Sequence, residues 1–369
     1  MKERLPCAVL CAWVLVLGCP AARAAAPRPA PTSGYPPGAP QLPALMNADI
    51  VTAVDKGLGY LTKMQQPDGS FPAKWDGKGY PATMTSLSGL ALMASGSTPE
   101  KGPYAAHLKK AMIYLLELGE AHPDGLIAGP LEMRATYGHG FAMLFLAQCY
   151  GDEQSTEYES RLKKLLDRAI SLVARGQSPR GGWLYSPLGG GDEGSTTACV
   201  LQGLRACRNA GIKVPQTTID RAVDYMRFCQ NPDGGICYSS AFRGASRVSI
   251  SAAAVSCFYS AGIYDRQAGG DSPESAMVEK LWRYLAQAVK NVEDYKGHYC
   301  YHHFYYSQAQ YVRGGREWEA YYREISRDLA RSQAANGSWP GDDVGPVYGT
   351  AVACTILQLP YGYLPICER

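Results

Sequence analysis

One unit recurs along this chain: an amphipathic helix ending in glutamine, a glycine-aromatic turn, and an apolar helix rich in small residues. Lys56-Gly57, Tyr60-Leu61, Gln65, Gly69 and Phe71 share their offsets with Arg168-Ala169, Leu172-Val173, Gln177, Gly181 and Trp183. The same offsets relate Arg221-Ala222, Tyr225-Met226, Gln230, Gly234 and Ile236. A weaker copy starts at Lys110-Ala111 and Tyr114-Leu115, with Gly119 in place of the glutamine and its turn at Asp124-Gly125. The last keeps Gln333, Gly337 and Trp339, and a degenerate segment from Trp282 to Tyr299 has Gly297 and Tyr299 at its turn. That makes six units, none able to bury its apolar face alone, so neighbours must stack.

The second helices are expected over 83–94, 137–150, 195–210, 249–261, 303–312 and 348–359. They are apolar almost all round, as in the run from Gly140 to Ala147, which is the mark of a helix without a solvent face. The first helices repeat their apolar residues every three or four positions, as at Ile50, Val54, Leu58 and Leu61, and so bury one face only. Six exposed helices alternating with six buried ones build two concentric rings, and closing the array removes the need for end caps. The expected fold is all-α, a closed (α/α)6 toroid.

With 369 residues the chain has ample length for a large core, and its net charge of +3 singles out no nucleic-acid partner. Residues 1–24 have the form of a signal peptide: Lys2 and Arg4, an apolar run from Leu5 to Gly18, and small residues at Ala22 and Ala24. An exported protein is therefore expected, periplasmic, extracellular or in the cell envelope. Its membrane association would come from a lipid anchor at Cys19 alone. Residues 25–46, dense in Pro and Ala, read as a tether, and 47–369 as the toroid. Nine cysteines follow the signal. Cys199, Cys257 and Cys354 share one repeat position, and Cys149 and Cys207 another, as small core residues would. Cys229 and Cys237, flanking one turn, are the pair to examine for a disulfide or a metal.

The pattern Lys/Arg-Gly/Ala, aromatic-aliphatic, Gln, Gly, aromatic resembles the glutamine-tryptophan repeat of squalene and oxidosqualene cyclases. The chain is similar, over 48–365, to the prenyltransferase and squalene-cyclase repeat superfamily. The physical reading of the repeat stands beside the resemblance. A glutamine closing an outer helix is placed to bond orphan carbonyls or the next turn's amides. Pro-Asp-Gly runs such as Pro67-Asp68-Gly69 are turn chemistry. All of this specifies scaffold and not activity.

In the related barrels the ligand cavity lies on the axis, near the N-terminal ends of the inner helices. The candidates there are Tyr137 and His139, then Asp192 and Glu193, then Arg247, the cluster with His302, His303, Tyr305 and Tyr306, and finally Tyr348. His139, Glu193 and His303 are the candidate acid-base residues, because His beside a carboxylate moves protons near neutral pH. Tyr137, Asp192, Arg247, His302, Tyr305, Tyr306 and Tyr348 are the candidate cavity residues, with Tyr305 and Tyr306 offering ring faces to positive charge. The alternative is that Tyr and His simply fill a polar axis.

The superfamily's catalytic signatures are missing. No Asp-x-Asp-Asp acid motif occurs, and the prenyltransferase zinc set has glycine, Gly349, where its histidine would stand. Neither a metal nor another cofactor is expected. The functional expectation is binding of, or action on, an isoprenoid-like or other apolar ligand. The alternatives are a non-catalytic envelope scaffold and a carbohydrate-active barrel, the latter requiring paired carboxylates across the cavity.

Overall fold

The computed structural model describes residues 42–72, 79–130, 132–152 and 155–367. The signal peptide and the tether up to residue 41 lie outside the described residues, so those two readings rest on sequence alone. The described residues, from Leu42 onward, belong to one compact unit.

Six outer helices are α1 (Ala48–Met64), α3 (Ala105–Glu120), α5 (Thr156–Gly176), α7 (Gln216–Cys229), α9 (Ser275–Ala288) and α11 (Gly315–Ser332). The inner six are α2 (Pro81–Met93), α4 (Ala135–Asp152), α6 (Gly194–Asn209), α8 (Val248–Ser260), α10 (Tyr299–Arg313) and α12 (Pro346–Leu357). Each inner helix touches the next, and α12 touches α2, which closes the ring. Outer helices seat in the grooves: α3 packs on α2 and α4, α5 on α4 and α6, and α1 on α12 and α2. Burial follows the sequence pattern. Every residue of α8 from Val248 to Tyr259 is buried, whereas α11 buries only Trp318, Tyr322, Ile325, Ser326 and Leu329.

The repeated residues are the joints between units. Gln65, Gln177, Gln230 and Gln333 each leave their helix in an extended conformation as the C-cap residue. Each side-chain amide donates twice, to the carbonyl of its own turn glycine and to one on the next outer helix. Gln177 bonds Gly181 O at 2.7 Å and Thr218 O at 2.9 Å. The corresponding outer-helix carbonyls for the others are His107, Met277 and, across the ring closure, Ala53. The glutamine thus satisfies carbonyls, not the amides that were the other expectation. The turn glycine is required twice over. Gly181 has φ +100°, and a Cβ there would lie 2.0 Å from Arg221 O.

Two details differ from the sequence reading. Met277 is the acceptor in the fifth unit, which fixes its register: Lys280-Leu281 and Tyr284-Leu285 are the repeat positions, and Val289 stands where the glutamine would be. The degenerate unit therefore begins before Trp282, and its turn is replaced by 3₁₀ turns at Val292–Asp294 and Lys296–His298. Helix α10 also begins four residues earlier than position 303, with His298 as its N-cap.

The cysteines behave as packing residues. Cys199 Sγ occupies the space a Cβ on Gly140 would need, and Cys354 Sγ does the same at Gly57. Cys229 and Cys237 are buried thiols, joined through their backbones by Cys237 N to Cys229 O at 3.0 Å. At the C-terminal ends of α6 and α10 the chain's own last turn, Pro365–Cys367, packs across the ring. Among the described residues no helix is long and apolar enough to cross a membrane.

Candidate functional site

The N-terminal ends of the inner helices surround a cavity of about 810 Å³. Met84, Phe141, Val248, Ile250 and Val344 give it an apolar lining. Seven tyrosines join them: Tyr80, Tyr137, Tyr185, Tyr238, Tyr284, Tyr301 and Tyr348. Charge enters from the segments leading into the helices, as Arg134 before α4, Arg247 before α8, Asp294 and His298 before α10, and Asp342 and Asp343 before α12. Neither arginine has an ion-pair partner among the described residues. The Arg134 guanidinium lies over the Tyr185 ring, 4.4 Å from its centroid.

Acidic caps alternate around the ring. Glu193, fully buried, caps α6 by accepting from the Ser195 and Thr196 amides at 2.8 and 2.7 Å. Glu132 does the same for α2 from a different unit, accepting from the Ala82 amide at 2.9 Å and from Thr83 Oγ1 at 2.8 Å. On α10 the cap is Asp342, which accepts from Cys300 N at 3.1 Å. Carboxylates complement the positive end of a helix. By contrast α8 and α12 begin without a side-chain cap, α8 directly after Arg247. Burial raises the pKa of Glu193 and Glu132, while the hydrogen bonds they accept pull the other way.

Glu193 stands one layer behind the cavity wall. Ser195 Oγ donates to its carboxylate at 2.7 Å, and Tyr137 OH bonds that same Oγ. Tyr301 OH donates to the Ser195 carbonyl at 3.2 Å. Tyr137, Ser195 and Tyr301 all line the cavity. A buried carboxylate is thereby linked to a cavity phenol through one hydroxyl.

Of the residues singled out in the sequence, Tyr137, Arg247 and Tyr348 line the cavity. The others lie elsewhere. His139 is fully buried between α4 and α5: the Ile127 amide donates to Nδ1 at 3.1 Å, and Nε2 donates to Ala169 O at 3.2 Å. Burial brings its pKa down to about 4. His303 faces α11, sharing a 2.9 Å hydrogen bond with Tyr321, and burial also lowers it to about 4. His302 is sandwiched between Tyr295 and Tyr306, and neither ring nitrogen has a partner among the described residues. Tyr306 accepts from Gln310 at 2.8 Å beside Trp282. Tyr305 is buried against Tyr301 and Phe304. Asp192 accepts from the amide and hydroxyl of Ser240, holding two loops together. The His-Tyr cluster of α10 is therefore divided by helical spacing. Tyr301 faces the cavity, and His302, His303 and Tyr306 pack outward on Tyr295 and Tyr321.

Arg134, Tyr185, Tyr238 and Glu132 were not singled out from the sequence. Arg134 had a usable signal, being a cation directly ahead of an inner helix, as Arg247 is. Tyr185 and Tyr238 sit in the turns, where the repeat specifies no side chain. Among the described residues no three His, Cys, Asp or Glu side chains are grouped so that they could hold a metal ion.

Known proteins share this architecture. The type II terpene cyclase MstE from Scytonema, in complex with geranylgeranyl dihydroxybenzoate, matches with a TM-score of 0.56 and 14% identity, over 86% of this chain and 98% of that one. A glycosidase in complex with glucose matches with a TM-score of 0.59 and 14% identity, again over 86% and 98%. The fold is that of the terpene-cyclase and glycosidase α/α toroids. The resemblance to the prenyltransferase and squalene-cyclase superfamily is thus borne out. In sequence, the drimenyl diphosphate synthase of Streptomyces showdoensis is 28% identical over 186 residues, half of this chain. That match spans about a third of the synthase, 32% of its length. No family model matches the chain.

Proposed function

We propose that the axial cavity of this toroid binds an isoprenoid-like chain carrying an anionic head group. The observation that carries the reading is one cavity that joins an aromatic and apolar lining to two arginines without ion-pair partners among the described residues. Phe141, Met84 and Ile250 would contact the hydrocarbon, and the tyrosine faces would complement any positive charge developed along it. Arg134 and Arg247 would hold the head group, Arg247 beside the uncapped start of α8. The cavity volume lies within the range of about 300–1,000 Å³ usual for small-molecule sites. The named activities of MstE and of the drimenyl diphosphate synthase are of the same chemical class, which supports the proposal without fixing a reaction.

A glycoside hydrolase reading is weaker on the geometry. Such an enzyme sets two carboxylates about 5–10 Å apart on either side of the sugar. Here the lining carboxylates, Asp294, Asp342 and Asp343, come from the segments leading into neighbouring helices α10 and α12. On the facing side Glu132 and Glu193 are committed as helix caps.

Glu193, Ser195 and Tyr137 form the proposed proton path to the ligand, with Glu193 acting through the other two. His139 and His303 are assigned to packing in this account. The N-terminal sequence supports export of the toroid, with the barrel working outside the cytoplasm.

The test is native mass spectrometry of the purified toroid with farnesyl diphosphate, farnesol or glucose. A complex with farnesyl diphosphate that is lost in Phe141→Asp supports the proposal. Binding of glucose and of neither isoprenoid would reject it.

A further inference from the structure

Cys229 and Cys237 are placed differently from the other cysteines of the toroid. Cys149, Cys199, Cys207, Cys257, Cys300 and Cys354 all lie on inner helices. Cys229 instead ends the outer helix α7, and Cys237 follows the turn after it. Between them the chain doubles back. Gln230 and Ile236 pair as an antiparallel bridge, flanked by hydrogen bonds from Asn231 N to Gly235 O at 2.8 Å and from Cys237 N to Cys229 O at 3.0 Å. Side chains alternate across such a ribbon, so Cys229 and Cys237 share the face opposite Gln230 and Ile236. Opposed residues joined by a backbone bond stand about 5.5 Å apart at Cα, and a disulfide most often spans about 5.5–6 Å.

The surroundings of the pair suit neither a metal nor a nucleophile. Both side chains are fully buried, and both stand here as thiols. Structural metal sites take about four ligands, whereas among the described residues no third His, Cys, Asp or Glu is grouped with these two. Burial first, and then the neighbouring Cys237 thiol, raise the pKa of Cys229 to about 12, which keeps it from acting as a thiolate near neutral pH. The Cys237 thiol donates to Ser239 O at 3.5 Å.

We propose that Cys229 and Cys237 are a site of oxidative modification, joined as a disulfide while the chain folds. A small disulfide, R–S–S–R, is the oxidant. One cysteine thiolate attacks it, forming a mixed disulfide and releasing one R–SH. The partner thiolate then attacks the protein-bound sulfur, which closes the Cys229–Cys237 bond and releases the second R–SH. Two protons and two electrons pass from the pair to the oxidant. The folded barrel offers neither access nor a thiolate, so the bond forms before the ring closes around it. Oxidants of this class belong to compartments outside the cytoplasm, in keeping with the export proposed above. The bond staples the end of α7 to the segment that sets two cavity residues: Ile236 O accepts from Arg247 N at 2.8 Å, and Tyr238 follows Cys237 directly.

A peptide map tests the site. Trypsin cuts after Arg227 and Arg243 with no site between them, so one peptide, 228–243, carries both cysteines and no other. The full chain is refolded from denaturant with oxidised and reduced glutathione, alkylated under denaturing conditions and digested. That peptide should be two hydrogens lighter than its reduced form and unalkylated, while the peptides holding Cys199, Cys207, Cys257 and Cys354 are alkylated. Reductant should lower the melting temperature of the oxidised protein by about 3–6 °C. A Cys229→Ala, Cys237→Ala double variant should melt at the same temperature with or without reductant, which separates the bond from the packing of its sulfurs. Alkylation of both cysteines in that peptide, glutathione retained on either, or a bond from either to a different cysteine would overturn the proposal. Should the refolding yield be low, the same map on protein exported to an oxidising bacterial periplasm is read by the same outcomes.

Discussion

Glu193 shows how one residue carries both scaffold and site. It caps α6 and fixes Ser195, so Glu193→Ala leaves two amides of the first helical turn without their acceptor. A stability loss of about 1–3 kcal/mol is expected in chemical denaturation, and Glu193→Gln should lose less, since its amide oxygen still accepts. The buried histidines set a pH dependence. His139 and His303 have folded pKa values near 4, below the ordinary 6.5, so the folded state favours their neutral forms. Stability from this source is complete above the unfolded value and is lost as pH falls from about 6.5 toward 4. The melting temperature should fall over that window, and His303→Phe should flatten the fall. A melting temperature unchanged down to pH 4.5 would contradict the buried neutral rings. The sequence marked these histidines because His is rare and clustered here. It could not say which way each ring turned, since three consecutive residues on a helix point in three directions.

At the scale of the element, the repeat is a joint more than a helix pair. Gln177 spans its own turn and the next outer helix, and Gly181 lets that helix approach to contact distance. Gly181→Ala adds a Cβ that collides with Arg221 O, whereas Gly211→Ala meets open space at a similar positive φ of +81°. The first should cost more than about 2 kcal/mol and the second about 1 kcal/mol, the difference being the collision. Equal losses in urea titrations would mean that the close approach is relaxed at no cost. These joints were legible because they use rare residue types at fixed offsets. The fifth unit was misplaced for the same reason: Val289 and Glu293 stand where the marker Gln and Gly would be, and its register shows in space, where Gln230 bonds Met277 O and Gly234 lies against Lys280 O. The cavity tyrosines of the turns carry no such marker, so their convergence had to be seen in space.

For the whole molecule, closure is what the array achieves. Gln333 bonds Ala53 O, and Gly337 lies against Lys56 O, so the last unit is joined to the first as the first, third and fourth units are each joined to the next. A ring without free ends has no terminal repeat to fray, and calorimetry should show one cooperative transition in place of the stepwise unfolding of open solenoids. Gln333→Ala should broaden that transition. Closure also gathers six inner-helix starts around one opening, where Arg134 and Arg247 face an aromatic interior. The central claim is that this cavity receives an apolar chain by its body and an anionic head by its arginines. The most direct measurement is a calorimetric titration of wild type and an Arg134→Ala, Arg247→Ala double variant with farnesyl diphosphate and with farnesol. The account predicts that the variant loses about ten- to a hundredfold in affinity for the diphosphate while its affinity for the alcohol is kept. Equal affinity of both proteins for the diphosphate, or no binding of either isoprenoid to wild type, would contradict it.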